Sequence, residues 1–170
     1  WHNLRTTDEA LNRQFAVQDW FYQVNNIMHS MRNSPKANFA GQNFERWISM
    51  GAFGTGSLFI DFMAGVGLRY RCVNLRDTFF LENHQGIIDS VYRCFKHTAR
   101  QAAQRWGEAN LPERVRKALE NPSRQNEHFE FLHVVAPRTD YDSGRADARG
   151  KPWASYYLSV PDKMLLAPEG

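Results

Sequence analysis

The 170-residue chain has little of what marks a dedicated chemistry. There are two cysteines, Cys72 and Cys94, and no CxxC pair. Their spacing fits no zinc ribbon, and two buried, reduced thiols of a cytosolic protein are expected. Charge of one sign is also scarce. The net charge is +3 and the sequence pI is about 9.0, which permits contact with nucleic acid without requiring it. Asp, Arg or Gly interrupts every apolar-rich stretch well short of the roughly 18 residues that a spanning helix needs, so no membrane partner is expected. No signal-peptide pattern and no internal repeat occur. The chain starts at Trp1 and ends on "LLAPEG"; both ends look cut, and a fragment of a longer polypeptide is expected.

Aromatic residues, by contrast, are plentiful. They make up 14% of the chain, with five Trp and twelve Phe. Hydrophobic content is 42% and charged content 23%, enough for one globular domain with a core and little room for two. Such a surplus serves either an aromatic core or an interface. Trp106, Trp153, Tyr156 and Tyr157 are the candidates for interface anchors, because Trp and Tyr dominate binding hot spots; a core role stands as the alternative.

Periodicity gives an α+β order. Residues 7–32 read as one long amphipathic helix, with Thr6 and Glu9 at capping-box spacing. Its apolar stripe is Leu11, Phe15, Val17, Trp20, Phe21, Val24, Ile27, Met28 and Met31, expected to pack inside the domain. "NSP" at 33–35 separates it from a second helix at about 36–51, with Pro35 in the first turn and Phe39, Phe44, Trp47 and Ile48 buried. The pair reads as a helical hairpin over 6–51. Two β-hairpins follow within the remaining part, 57–170: "SLFIDFM" with "LRYRCVNL", and "TFFLEN" with "IIDSVYRCFKH" around Gly86. Thr98 caps a short helix stopped by Gly107, and a second runs from Pro112 to before Pro122. Strands are expected at 127–136, at "WASYYLSV" and at "KMLLA", with a mobile loop over 138–152.

The stretch "GAFGTGSLFID" invites a phosphate-loop reading. That reading fails on order: a phosphate cradle runs strand, glycines, helix and ends on a Lys. Here a helix precedes the glycines, a strand follows, and Ser57 and Leu58 stand where the Lys would be. Gly51, Gly54 and Gly56 are expected to form a helix C-cap and a tight turn with close backbone approach. His84, His97, His128 and His133 lack the i, i+4 spacing of a zincin, and His128 and His133 fall on opposite strand faces. Ser57 and Ser90 lack an elbow motif. Neither a metal, a cofactor nor a catalytic residue is expected.

The ordered series "GAFGTGSLFID", "LRYRCVNLRDTFFLENHQGIIDSVYRCFKHTARQAAQRWG", "LPERVRKALENP" and "EFLHVVAPR" resembles the head-to-tail connector, or portal, protein of short-tailed bacteriophages. The likeness runs from about residue 5 to the end; no single motif carries it. It implies a non-enzymatic structural subunit of a ring, usually of twelve copies, at one capsid vertex. DNA enters through the ring under the terminase motor and later leaves through it. The implied partners are further copies of itself, capsid and scaffolding proteins, terminase, tail or adaptor proteins, and double-stranded DNA bound without sequence preference. The implied location is the virion, with assembly in the host cytoplasm. The whole chain, 1–170, then corresponds to a wing-like α+β portion of a longer subunit.

Arg100, Arg105, Arg114, Arg116 and Lys117 lie on the two short helices. They read either as a patch facing DNA or a neighbouring subunit, or as a solvated face interspersed with Glu108, Glu113 and Glu120. The rival function is therefore a nucleic-acid-binding or -processing domain using helices 98–120.

Overall fold

The computed structural model describes residues 4–65 and 67–166. They form an α+β protein, as expected, in two compact units, Trp1–Leu75 and Arg76–Gly170.

In the first unit the expected single helix is two: α1 (Glu9–Asn12) and α2 (Phe15–Asn33). Asp8, not Thr6, is the N-cap; its carboxylate accepts from the Ala10 N–H at 2.8 Å and the Leu11 N–H at 3.4 Å. Thr6 is committed elsewhere. Its N–H and hydroxyl both donate to Asn12 Oδ1, and the Asn12 amide donates back to the Thr6 carbonyl at 2.9 Å. That closed loop ends the first turn before α2 begins. Pro35 lies not in a helix but in the connecting turn closed by the Ala37 N–H on the Ser34 carbonyl at 2.9 Å. Helix α3 (Phe39–Phe53) starts after Asn38 in the left-handed region and stops at Gly54, whose φ is 74° and whose N–H donates to the Met50 carbonyl. Gly51 lies inside α3, in open space.

Strands β1 (Ser57–Met63) and β2 (Gly67–Val73) pair antiparallel, Ser57 opposite Val73. This hairpin belongs with the helices. The Tyr70 N–H donates to the Ala37 carbonyl at 2.9 Å and the Cys72 N–H to Gln42 Oε1 at 2.7 Å; the Phe39 and Tyr70 rings meet edge-on at 4.9 Å. The hairpin thus lies in the unit Trp1–Leu75. Gly56 lets the hairpin approach α3: a Cβ there would lie 2.7 Å from the Arg46 carbonyl oxygen. Gly56→Ala is expected to destabilise by about 1–3 kcal/mol, because backbone must yield. Urea unfolding checks this; Gly51→Ala, in open space, should be neutral or slightly stabilising.

The apolar stripes of this unit are not buried. No residue of α2 or α3 is buried. Phe15 is 81% exposed, and Trp20, Ile27, Phe44, Trp47 and Ile48 all exceed half. The expected burial of these stripes is therefore overturned within this chain. Two helices and a two-stranded hairpin enclose too little volume to cover both faces of each helix.

The second unit is a five-stranded meander, β3 (Thr78–Glu82), β4 (Ile88–Thr98), β5 (His128–Pro137), β6 (Trp153–Ser159) and β7 (Met164–Leu165), each antiparallel to the next. Helices α4 (Ala99–Trp106) and α5 (Glu113–Glu120) lie between β4 and β5 in sequence. Thr98 forms the expected cap as a full capping box with Gln101. Ala99, Ala102 and Trp106 of α4 and Val115 and Ala118 of α5 pack with Leu111, Phe129, Phe131 and Leu166 into the core. Register explains which ring faces them: Phe95 is opposite Phe131, and His97 opposite Phe129, so the odd positions of β4 and β5 share the helix-covered face. Cys94, at an even position, is exposed and Cys72 half-buried, so neither is the fully buried thiol expected from the sequence.

The 138–152 segment has its own internal bonds. Arg138 N–H donates to the Pro152 carbonyl, and Asp142 N–H to the Arg149 carbonyl. Arg149 pairs with Asp140 at 3.2 Å, and Arg145 pairs with Asp147.

Candidate functional site

The structure separates the residues that the sequence grouped as basic. Arg105 Nη2 donates to Tyr157 Oη at 2.8 Å and its guanidinium lies 4.6 Å from the Tyr157 ring centre. Arg114 stands over the Phe129 ring at 5.0 Å and pairs with Asp162 at 3.4 Å. Lys117 pairs with Glu113 at 2.7 Å, one turn away on the same helix. That pairing pulls the Glu113 carboxyl below its ordinary value and lifts the Lys117 ammonium above its own. Three of the five cations are thus held by the chain's own side chains, and Arg100 and Arg116 are exposed.

The aromatic candidates also part company. Trp106 is only 8% exposed and sits in the core cluster, 5.0 Å from Phe131 and 5.8 Å from Tyr157; burial removes it from the interface set. Tyr157 packs against the same cluster. Tyr156, one position along, is half-buried on the opposite face of the sheet, opposite Val134. Trp153 is 53% exposed at the end of β6, and remains the best placed of the four to meet another molecule.

Beside Tyr157 lies a buried polar group. The His133 ring stacks on Tyr157 at 4.3 Å with planes 9° apart, and its Nε2 is 2.9 Å from Ser155 Oγ. Burial, first, and then the Arg93 and Arg105 guanidinium groups push its pKa down to about 4. His133 is therefore neutral at neutral pH and serves as a structural element. No group of three or more His, Cys, Asp or Glu residues that could hold a metal occurs among the described residues, and none of the described helices is long and apolar enough to cross a membrane.

What the residues do build is apolar contact surface. The α2 and α3 faces are one example. A second lies at the turn between β3 and β4, where Leu81, Ile87 and Ile88 are each more than half exposed. Sequence reasoning missed both. A stripe at helical spacing carries the same pattern whether it meets its own core or a neighbour.

Comparison with known proteins gives the chain a family. The profile described as bacteriophage head to tail connecting protein matches residues 1–169. The chain belongs to this family. Among its relatives is the portal protein of Salmonella phage epsilon15, 27% identical over 168 residues, which are 97% of this chain and 30% of that protein. The probable portal protein of Bordetella phage BPP-1 is 25% identical over 160 residues, 93% of this chain and 28% of that one. The chain thus spans under a third of the length of the curated relatives it matches. The glycine stretch takes its place as structure: Gly54 caps α3 and Gly56 admits the backbone of Arg46.

Proposed function

We propose that this chain is the wing-like portion of a portal subunit, a structural component of the ring at one capsid vertex. The observation that carries this reading is the family match across residues 1–169. The exposed apolar surface of the helical unit supports it, because a cyclic ring needs two unlike, complementary faces on every copy. Self-association into a closed ring is the primary interaction. Capsid and scaffolding proteins, the terminase motor, and tail or adaptor proteins are the further partners of such a ring, in the assembling cell and then in the virion. Double-stranded DNA passes through it, touched weakly and without sequence preference, since it must slide. The work is geometric, so no catalytic residue and no cofactor is assigned.

The test is negative-stain electron microscopy of the full-length protein. Rings with a central channel and about a dozen subunits are expected; a monomer or dimer that persists across salt and concentration would count against the reading. Trp153→Ala adds a residue-level check. With the side chain exposed, the expected change in stability is within about 0.5 kcal/mol. As an interface anchor, Trp153 should lower the assembled fraction about tenfold or more when truncated. Unchanged assembly would return Trp153 to the solvent-facing surface.

A further inference from the structure

Helix α3 is turned inside out within its unit. Positions at i, i+3 and i+7 hold it to the β1–β2 hairpin. The Phe39 ring meets Tyr70 at 4.9 Å, Gln42 Oε1 accepts the Cys72 N–H at 2.7 Å, and a Cβ at Gly56 would lie 2.7 Å from the Arg46 carbonyl oxygen. The inward side thus includes an amide and an arginine. The outward side carries Ala40, Phe44, Trp47, Ile48 and Gly51. Their order, i, i+4, i+7, i+8 and i+11, puts them on one face of a helix. Ala40, Phe44 and Trp47 line a single groove of about 440 Å³, so the face is continuous in space as well as in spacing. Phe44, Trp47 and Ile48 are 62%, 53% and 57% exposed, and a Cβ at Gly51 would meet nothing within 4 Å. The stripe contains no charged residue. An amphipathic helix buries such a face; here it lies open.

The size of the stripe selects what covers it. A whole aromatic side chain offers about 150–250 Å², so the exposed parts of the three large residues amount to roughly 300–400 Å². A stable contact between separate copies takes about 800 Å² from each partner, so this stripe is too small to be one by itself. A segment of the same polypeptide arrives at the effective concentration of an intramolecular contact and needs no such area. The relatives have the length for it, since the match spans 30% and 28% of the two portal proteins. A helix suits an uncharged face because it satisfies its own backbone N–H and C=O groups and adds no unpaired polar group. From Ala40 to Gly51 the stripe runs about 16 Å, or three turns. Resting on the reading of this chain as part of a portal subunit, we propose that a helix of about three turns, from the portion of the same subunit outside residues 1–170, packs its own apolar stripe along Phe44, Trp47 and Ile48. The exposed α2 residues Trp20, Ile27 and Met31 are not part of this contact and remain for the ring.

Hydroxyl-radical footprinting of the full-length wild-type protein tests this without any substitution. Oxidation of Trp47 is followed in dilute monomers and in assembled rings, each against its own rate in urea-unfolded protein. In the monomer Trp47 is expected to oxidise at least about tenfold more slowly than when unfolded, because a packed contact excludes water. In parallel, p-benzoyl-phenylalanine incorporated in place of Phe44 should cross-link, in the same monomers, to a peptide outside residues 1–170. A Trp47 that reacts near its unfolded rate in the monomer and slows only in rings would give the stripe to a neighbouring copy; that overturns this contact and leaves the ring reading standing. Fast oxidation in both states would leave the face to solvent and overturn it as well, as would a cross-link back into residues 1–170. If the protein never forms rings, the ring reading fails, and Trp47 oxidation in the monomer still decides this one.

Discussion

Phe131→Ala is expected to cost about 3–5 kcal/mol. Phe131 is 1% exposed. Its ring lies 5.0 Å from Trp106, 5.9 Å from Phe95 and 6.2 Å from His97, so it joins α4 to β4 and β5 at one point. Removing it withdraws apolar area and leaves a cavity that several large rings cannot collapse to fill. A domain of this size is stable by only about 5–15 kcal/mol, so the variant should unfold at markedly lower urea. The control is Phe79→Ala, on edge strand β3 and 56% exposed, for which a change of about 0.5 kcal/mol or less is expected. Comparable losses at the two positions would mean that the core is not centred on Phe131.

Acidification is expected to destabilise the same unit well above the range in which most carboxylates titrate. His133 is held neutral by burial and by Arg93 and Arg105, with its pKa lowered from 6.5 to about 4. In the unfolded chain the imidazole takes its proton near the ordinary value, so between these two pH values the unfolded state binds more protons. The stability from this group is complete above about pH 6.5 and is lost as pH falls towards about 4. The full window corresponds to the order of 3 kcal/mol. Urea midpoints taken across that window should fall with pH in the wild type. His133→Gln keeps a neutral polar group near Ser155 and should flatten the slope. An equal slope in the variant would place the pH dependence on other groups.

Much of the local structure is legible without coordinates. The strand alternation of "LRYRCVNL", the Gly86 turn, the Thr98 cap and the Gly107 and Gly54 stops are short-range consequences of side-chain geometry and backbone sterics, and each is where the residue types put it. The break between α1 and α2 was not legible. It coincides with Asn12 bonding back to Thr6. The contact surfaces were less legible still. Trp106 and Trp153 look alike in sequence, and one is core while the other is exposed; Tyr156 and Tyr157 point to opposite faces because strand neighbours must.

By itself, then, the sequence determined the α+β order, most turns and caps, the absence of a phosphate loop, and the likeness to head-to-tail connectors. These rest on local periodicity, on backbone preference and on an ordered series of segments. Only the tertiary structure decided which aromatic rings fill the core, which cations are already paired, and that the helical stripes lie open. Burial and pairing depend on residues far apart in the chain. Phe95 meets Phe131 through strand register, and Arg105 meets Tyr157 across 52 positions. No local pattern encodes whether an apolar face will find its partner in the same chain.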